Sequence, residues 1–146
     1  MKITLEKLDK LGACQSGIDW FESQAETDAR KVIKSLLADN HFNWANWLIV
    51  RLMSKKDRVR YAIYAAESVI EIFEKKYPND KRPREAIEAA KKWVKNPSKK
   101  NKAAAADAAD AADAAYAADA AADAAYAAAR KELQIKIISY GLRFIK

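Results

Sequence analysis

One segment constrains the fold of this chain more than any other feature of the sequence. Twenty of the twenty-seven residues between 103 and 129 are alanine, and the others are aspartate or tyrosine. Alanine has the highest helix propensity, and no glycine, proline or β-branched residue interrupts the run, so the sequence predicts one long helix. At about 1.5 Å per residue this helix is roughly 40 Å long, enough to cross a small domain.

The other residues of this run limit what the helix can do. Its five aspartates would cost too much free energy in hydrocarbon, so a membrane span is excluded. A solvated helix of the antifreeze type is disfavoured because the run contains no threonine. Residues 111–120 and 121–130 are near-identical, which indicates replication slippage. We interpret the run as a central helix whose aspartates face water or basic partners.

Composition predicts an all-α protein with one domain. The 146 residues are 51% apolar, and three glycines and three prolines leave little material for tight sheet turns. The charge is uneven, because residues 1–102 carry +8, the alanine run −5 and residues 130–146 +4. Cys14 is the one cysteine and no signal peptide is recognisable, so we expect a cytoplasmic protein.

Apolar spacing and capping residues predict a single-domain bundle of six or seven helices. Thr27, Asn43 and Ser54 are the predicted N-caps of three of them. A β-branched run near residue 135 could form a strand, but a helix is favoured because the chain has no partner strand. The domain would comprise a basic helical body, residues 1–97, and the long alanine-rich helix with an apolar, basic C-terminal extension, residues 98–146. The predicted helices outside the alanine run span 4–11, 13–24, 28–39, 44–53, 55–76, about 80–96, and the C-terminal segment.

The most specific motif runs from Tyr77 to Trp93 and reads YPNDKRPREAIEAAKKW. It resembles a turn and helix in a family of small helical immunity proteins, in which an alanine-rich helix follows. The earlier pattern Ala13-Cys14-x-x-Gly17-x-x-Trp20 fits the same family. The resemblance covers roughly residues 12–130. It implies an immunity function without catalytic residues, and similar proteins also occur in phages.

Arg82 and Arg84 lie where the predicted helix begins. Basic side chains are unfavourable there because the helix dipole is positive at its N-terminus, unless each arginine has a carboxylate partner. A structural interpretation pairs them with Asp80, Glu67, Glu71 or the aspartates of the alanine run. A functional interpretation has them contact a ligand or a partner protein.

A basic stretch continues from Lys75 to Lys102, with eleven basic and three acidic residues. It could meet nucleic acid or an acidic protein, or it could be a solvated helix face. No helix-turn-helix or zinc-ligand pattern indicates sequence-specific binding. The candidate partner-binding residues are Arg82, Arg84, Lys91, Lys92, Lys95, Lys99, Lys100, Asp119 and Asp123.

The residues that carry most enzyme chemistry are scarce in this sequence. His41 is the one histidine, and carboxylate metal cages draw ligands from several helices or from Glu-x-x-His pairs. No glycine-rich phosphate loop is present. We therefore predict no catalytic site, no metal and no cofactor. Cys14 is interpreted as a small core residue. Trp44 and Trp47 lie on one apolar face and are interpreted as core residues, although a partly exposed tryptophan would be a natural anchor at an interface.

These observations lead to a prediction of a non-catalytic inhibitor. It would act as an immunity-like protein or a phage counter-defence protein that occludes a toxin or a host defence enzyme. The resemblance is what favours this function over two alternatives. One is a non-specific nucleic-acid-binding protein that uses the basic body, and the other is a structural homo-oligomer packed through alanine-rich helices. No membrane partner is expected.

Overall fold

The computed structural model describes residues 1–98 and 127–146. The predicted alanine-rich helix lies almost entirely outside these residues. The chain divides into two compact units, Met1–Met53 with Gln134–Lys146, and Ser54–Leu133. The predicted organisation as a single domain with a basic body at 1–97 stays a prediction.

Helices make up the regular structure of the described residues, so the all-α prediction is confirmed. An isolated antiparallel bridge between Lys2 and Asp28 is the one extended pairing in this part of the chain. The described residues form eight α-helices where seven are predicted outside the alanine run, because the helix predicted over residues 55–76 is two helices. Their bounds are α1 Leu5–Lys10, α2 Gln15–Glu22, α3 Ala29–Ala38, α4 Phe42–Leu52, α5 Lys55–Glu67, α6 Ile70–Lys76, α7 Arg82–Lys95 and α8 Ala127–Gly141, and a 3-10 helix follows at Leu142–Phe144.

The core of the first unit is built around α3 and α4, which pack against each other. Ile33 on α3 and Ile49 on α4 are completely buried. The N-terminal segment closes one side of this core, because the Ile3 amide donates to the Thr27 carbonyl at 2.8 Å. Ile3 is completely buried as a result.

Two helices of the first unit end in the same local motif. After α1, the Gly12 amide donates to the Asp9 carbonyl and the next amide donates to the Leu8 carbonyl. After α3, the Asn40 and His41 amides make the equivalent pair of bonds. Gly12 and Asn40 have φ angles of 76° and 62°, the left-handed conformation that this Schellman motif requires. The helix ends predicted at residues 11 and 39 are therefore confirmed to within one residue.

The predicted N-caps are confirmed in one case and wrong in two. Ser54 accepts a hydrogen bond from the Asp57 amide at 3.2 Å, as predicted. Asp28 rather than Thr27 caps α3, because its side chain accepts hydrogen bonds from the Arg30 and Lys31 amides. The Thr27 carbonyl instead accepts from the Ile3 amide in the N-terminal segment. Helix α4 begins at Phe42, before Asn43, because the Schellman turn already directs the chain into the helix.

The helix predicted over residues 55–76 is wrong as one element, since it breaks into α5 and α6. Ser68 Oγ donates to the Tyr64 carbonyl at 2.7 Å, which competes with the backbone ladder. The Val69 amide then bonds three residues back, to Ala66, rather than four. Val69 has φ −121° and ψ −10°, outside the helical range, so the axis restarts at Ile70.

The second unit has its main packing between α5 and α7. Tyr61 is the buried residue of α5, and α6 contributes Ile70. Helix α7 buries Ile87, Ala90 and Trp93 at the spacing of one helical face. The helix predicted over about residues 80–96 is confirmed, and Pro83 lies in its first turn, where proline is tolerated.

The C-terminal segment is helical, as predicted, rather than a strand. Its last turns contribute buried apolar side chains to the first unit, namely Ile137, Ile138, Leu142 and Ile145. Arg30 fixes this end of the chain by donating from Nη1 to the Ile145 carbonyl at 3.2 Å. Among the described helices, none is both long and apolar enough to cross a membrane.

Two glycines of the first unit provide a matched test of backbone conformation. Gly12→Ala is expected to destabilise the protein by about 1–2 kcal/mol, because alanine is strained at positive φ. Gly17→Ala is expected to stabilise it by about 0.5–1 kcal/mol, because Gly17 is within α2 and its new Cβ would lie 3.4 Å from Cys14 Sγ, an ordinary contact. Urea unfolding of both variants measures the signs. If both variants changed the free energy of unfolding in the same direction, the backbone conformations assigned to Gly12 and Gly17 would be contradicted.

Candidate partner-binding surface

The turn between α6 and α7 is organised by Asp80 and Arg82. Arg82 donates from Nε and Nη2 to the two Asp80 carboxylate oxygens at 2.9 and 2.6 Å. The Arg82 amide also donates to Asp80, at 3.1 Å, so the carboxylate covers an unpaired amide at the start of α7. These hydrogen bonds lower the pKa of Asp80 to about 2. The predicted carboxylate partner of Arg82 is therefore confirmed as Asp80.

Arg84 links α7 to α6 through a second bidentate pair. It donates from Nε and Nη2 to the Glu74 carboxylate oxygens at 2.5 and 2.6 Å. These bonds lower the pKa of Glu74 and raise that of Arg84. Glu74 was not among the partners that the sequence suggested. The planar guanidinium fits a carboxylate in one orientation, so this pair sets the angle at which α6 meets α7.

Lys91 joins α7 to α5. Its Nζ lies 2.7 Å from a carboxylate oxygen of Glu67 on α5 and 2.7 Å from one of Glu88 on its own helix. The bonds to Glu67 and then Glu88 raise the pKa of Lys91. Lys91 is half-buried, and its charge is paired with carboxylates of its own unit.

The remaining candidate residues differ in what the structure says of them. Lys92 and Lys95 are exposed in the last turn of α7, and within the described part of the chain neither has an ion-pair partner. Their position is favourable for the helix dipole even without a partner. The other four candidates, Lys99, Lys100, Asp119 and Asp123, lie outside the described residues. Partner binding by all nine stays a prediction.

A pH titration tests whether Arg82 lowers the pKa of Asp80. Following the Asp80 carboxyl carbon by NMR is expected to give a midpoint near pH 2, and Arg82→Gln is expected to raise it toward the ordinary 3.8. Because the folded pKa is the lower one, the pair stabilises the fold above about pH 4, and this contribution is lost as the pH falls toward 2. Arg84→Gln is the matched control. It should leave the Asp80 midpoint in place, since Arg84 pairs with Glu74.

The first unit contains a feature that sequence reasoning missed, an apolar pocket of about 270 Å³. Its wall includes Trp20, Trp44 and Trp47, each half-buried. Trp20 Nε1 donates to Asp39 Oδ2 at 2.9 Å, and the His41 ring stacks on Trp44 with centroids 4.2 Å apart. The prediction that Trp44 and Trp47 belong to the core is only partly met, because both are half-buried. The helical spacing placed them on one face but carried no information on what covers that face.

Cys14 also lines this pocket and is exposed, so its assignment as a core residue is wrong. It occupies the N-cap of α2, and a side chain at that position projects ahead of the helix instead of into its packed face. Among the residues that the structure describes, no cluster of histidine, cysteine or acidic side chains could hold a metal ion.

Two family models match the chain. The model described as "Imm-5 like putative immunity protein" matches residues 48–145, and the model of the YdhT N-terminal domain matches residues 1–56. No curated protein and no solved structure matches. The first match spans the end of α4 and all of α5 to α8, including the turn held by Arg82 and Arg84. Because it covers well over half of the sequence, the chain belongs to the Imm-5 like immunity protein family.

Proposed function

We propose that this protein is a non-catalytic inhibitor that binds a target protein and occludes its surface. The target would be a toxin in an immunity pair, or a host defence enzyme if the protein serves a phage. The observation that carries the proposal is the immunity-family match over residues 48–145. Occlusion needs a complementary shape and charge and no reactive group, which suits a helical domain with a basic surface.

The ion pairs of the second unit support this proposal by separating structural from available charge. Arg82, Arg84 and Lys91 are held by carboxylates of their own unit. Lys92 and Lys95 keep their charges directed to solvent, so a partner can approach them without breaking an existing pair. Among the described candidate residues, these two lysines are therefore the ones that a target protein could contact with the smallest loss of free energy.

Reversing these charges is expected to weaken binding. Lys92→Glu with Lys95→Glu should reduce the affinity for the target about tenfold and flatten its salt dependence, because attraction at an exposed rim becomes repulsion. Isothermal titration at two salt concentrations measures both effects. Lys55→Glu with Lys56→Glu is the matched control, since it makes the same charge change in the first turn of α5. Equal losses in the two double variants would remove these two α7 lysines from the interface.

The first experiment is to identify the target. A tagged copy of the protein is expressed in its native host, and mass spectrometry identifies what stays bound through a moderate-salt wash. One stoichiometric partner protein is the expected result. Recovery of salt-labile nucleic acid alone would favour the nucleic-acid alternative, and recovery of the protein alone, with melting that depends on concentration, would favour the homo-oligomer.

A further inference from the structure

The most exposed large apolar side chain of the described residues is Ile72 on α6, at 59%. Tyr77 follows the helix and is 45% exposed. Phe73 lies between them in sequence and contacts the Tyr77 ring, with centroids 5.0 Å apart. We call Ile72, Phe73 and Tyr77 the α6 patch. Single exposed apolar residues are common, but Ile72 and Tyr77 are both exposed and lie close together in the chain, with the half-buried Phe73 against Tyr77, so this segment presents apolar surface that can be covered.

Cationic side chains border this patch, and we call Lys75, Lys76 and Lys81 the lysine rim. Lys76 follows Ile72 by one helical turn, and its Nζ lies 5.5 Å from the centroid of the Tyr77 ring. Lys75 and Lys81 are exposed, and in residues 1–98 and 127–146 no ion pair involves any of the three. Helix α6 and the turn after it thus carry exposed apolar side chains together with lysines that have no ion pair among the described residues.

Two acids close to the lysine rim in the chain are already engaged. Glu74 is held by Arg84 and Asp80 by Arg82, in both cases through two oxygens. Glu71 is the remaining acid of α6 and is exposed. The Arg84–Glu74 pair also links α7 to α6, the helix that carries Ile72 and Phe73, and so helps to hold that part of the patch in place before anything binds. Such preorganisation reduces the entropy that an interface must lose.

These features select one kind of occupant. Nucleic acid would satisfy the lysines through its phosphates but would leave Ile72 without an apolar partner. A protein surface that carries carboxylates beside an apolar side chain satisfies both the lysine rim and the α6 patch, and tyrosines are frequent energetic centres of protein interfaces. We propose that the α6 patch and the lysine rim dock an acidic segment of the inhibited protein, which places an apolar side chain against Ile72. This inference rests on the proposed function.

The test uses a photoreactive benzophenone amino acid at Ile72 or Tyr77 of the full chain, irradiated in the native host. The matched control carries it at Leu5, an apolar residue with a similar exposure of 42% in the other unit. The expected result is a cross-link from both α6 positions to the copurifying protein, within an acidic peptide, and none from Leu5. In the purified pair, Tyr77→Ser is expected to weaken the affinity about thirtyfold, and Leu5→Ser to leave it unchanged.

The outcomes separate this inference from the proposed function. If a partner copurifies but cross-links only elsewhere, the docking surface is wrong and the inhibitor proposal stands. If the α6 positions cross-link to nucleic acid or to a second copy of this chain, the acidic segment is wrong as the occupant. If no protein copurifies with the unmodified chain, both fail. Circular dichroism of Tyr77→Ser shows whether a loss of affinity comes from the surface or from unfolding.

Discussion

Ile33→Ala is expected to destabilise the protein by about 3 kcal/mol, within the roughly 2–5 kcal/mol typical of isoleucine truncations in packed cores. Ile33 is completely buried in α3, which packs against α4. The lost transfer free energy adds to the cost of the cavity, because neighbouring helices collapse only partly into it. Urea unfolding followed by circular dichroism measures the effect.

Two controls make this result specific to the core of the first unit. Ile33→Val removes one methylene and is expected to cost about 1 kcal/mol. Lys34→Ala, at the exposed neighbouring position, should change the free energy of unfolding by less than about 0.5 kcal/mol. An Ile33→Ala loss no larger than that of Lys34→Ala would contradict the packing of α3.

Trp93→Ala is expected to have the largest effect in the second unit, a loss of about 3–5 kcal/mol. Trp93 is 8% exposed and is the largest buried side chain of α7, the helix that packs on α5. Trp93→Phe is expected to cost less, since it keeps an aromatic ring on the buried face. Thermal unfolding by circular dichroism compares the two variants with the unmodified chain.

The variant Trp93→Phe also simplifies the measurement. The other tryptophans, Trp20, Trp44 and Trp47, belong to the first unit, so its fluorescence then reports on that unit alone. A Trp93→Ala variant as stable as Trp93→Phe would show that α7 is not packed through this face.

The sequence predicts those parts of the fold that depend on local chemistry. Gly12 and Asn40 end helices because they accept a left-handed conformation, and Ser54 begins one because its hydroxyl reaches a free amide. The cap of α3 was misplaced by one residue, since both Thr27 and Asp28 can cap. What decides between them is a hydrogen bond from the amide of the distant Ile3 to the Thr27 carbonyl, which local sequence does not show.

In the candidate surface too, a contact between residues close in the chain could be predicted and a contact between distant residues could not. The Asp80–Arg82 pair spans two positions and could be predicted from the sequence. The partner of Arg84, Glu74, is ten positions away and comes within reach only when α6 folds back across the turn. The break at Ser68 was missed for a different reason, since the bond responsible is local. Its hydroxyl bonds the backbone of its own helix, and apolar spacing gives no sign of this.

The first unit has a consequence for synthesis on the ribosome. Its two parts, residues 1–53 and 134–146, are separated in the chain by the whole of the second unit. Ile145 is buried in the first unit, and its carbonyl accepts from Arg30. The N-terminal helices therefore leave the exit tunnel first but cannot close their core until residue 145 has followed. The unit that begins first is completed last, and during translation its open apolar face needs protection, which a chaperone can supply.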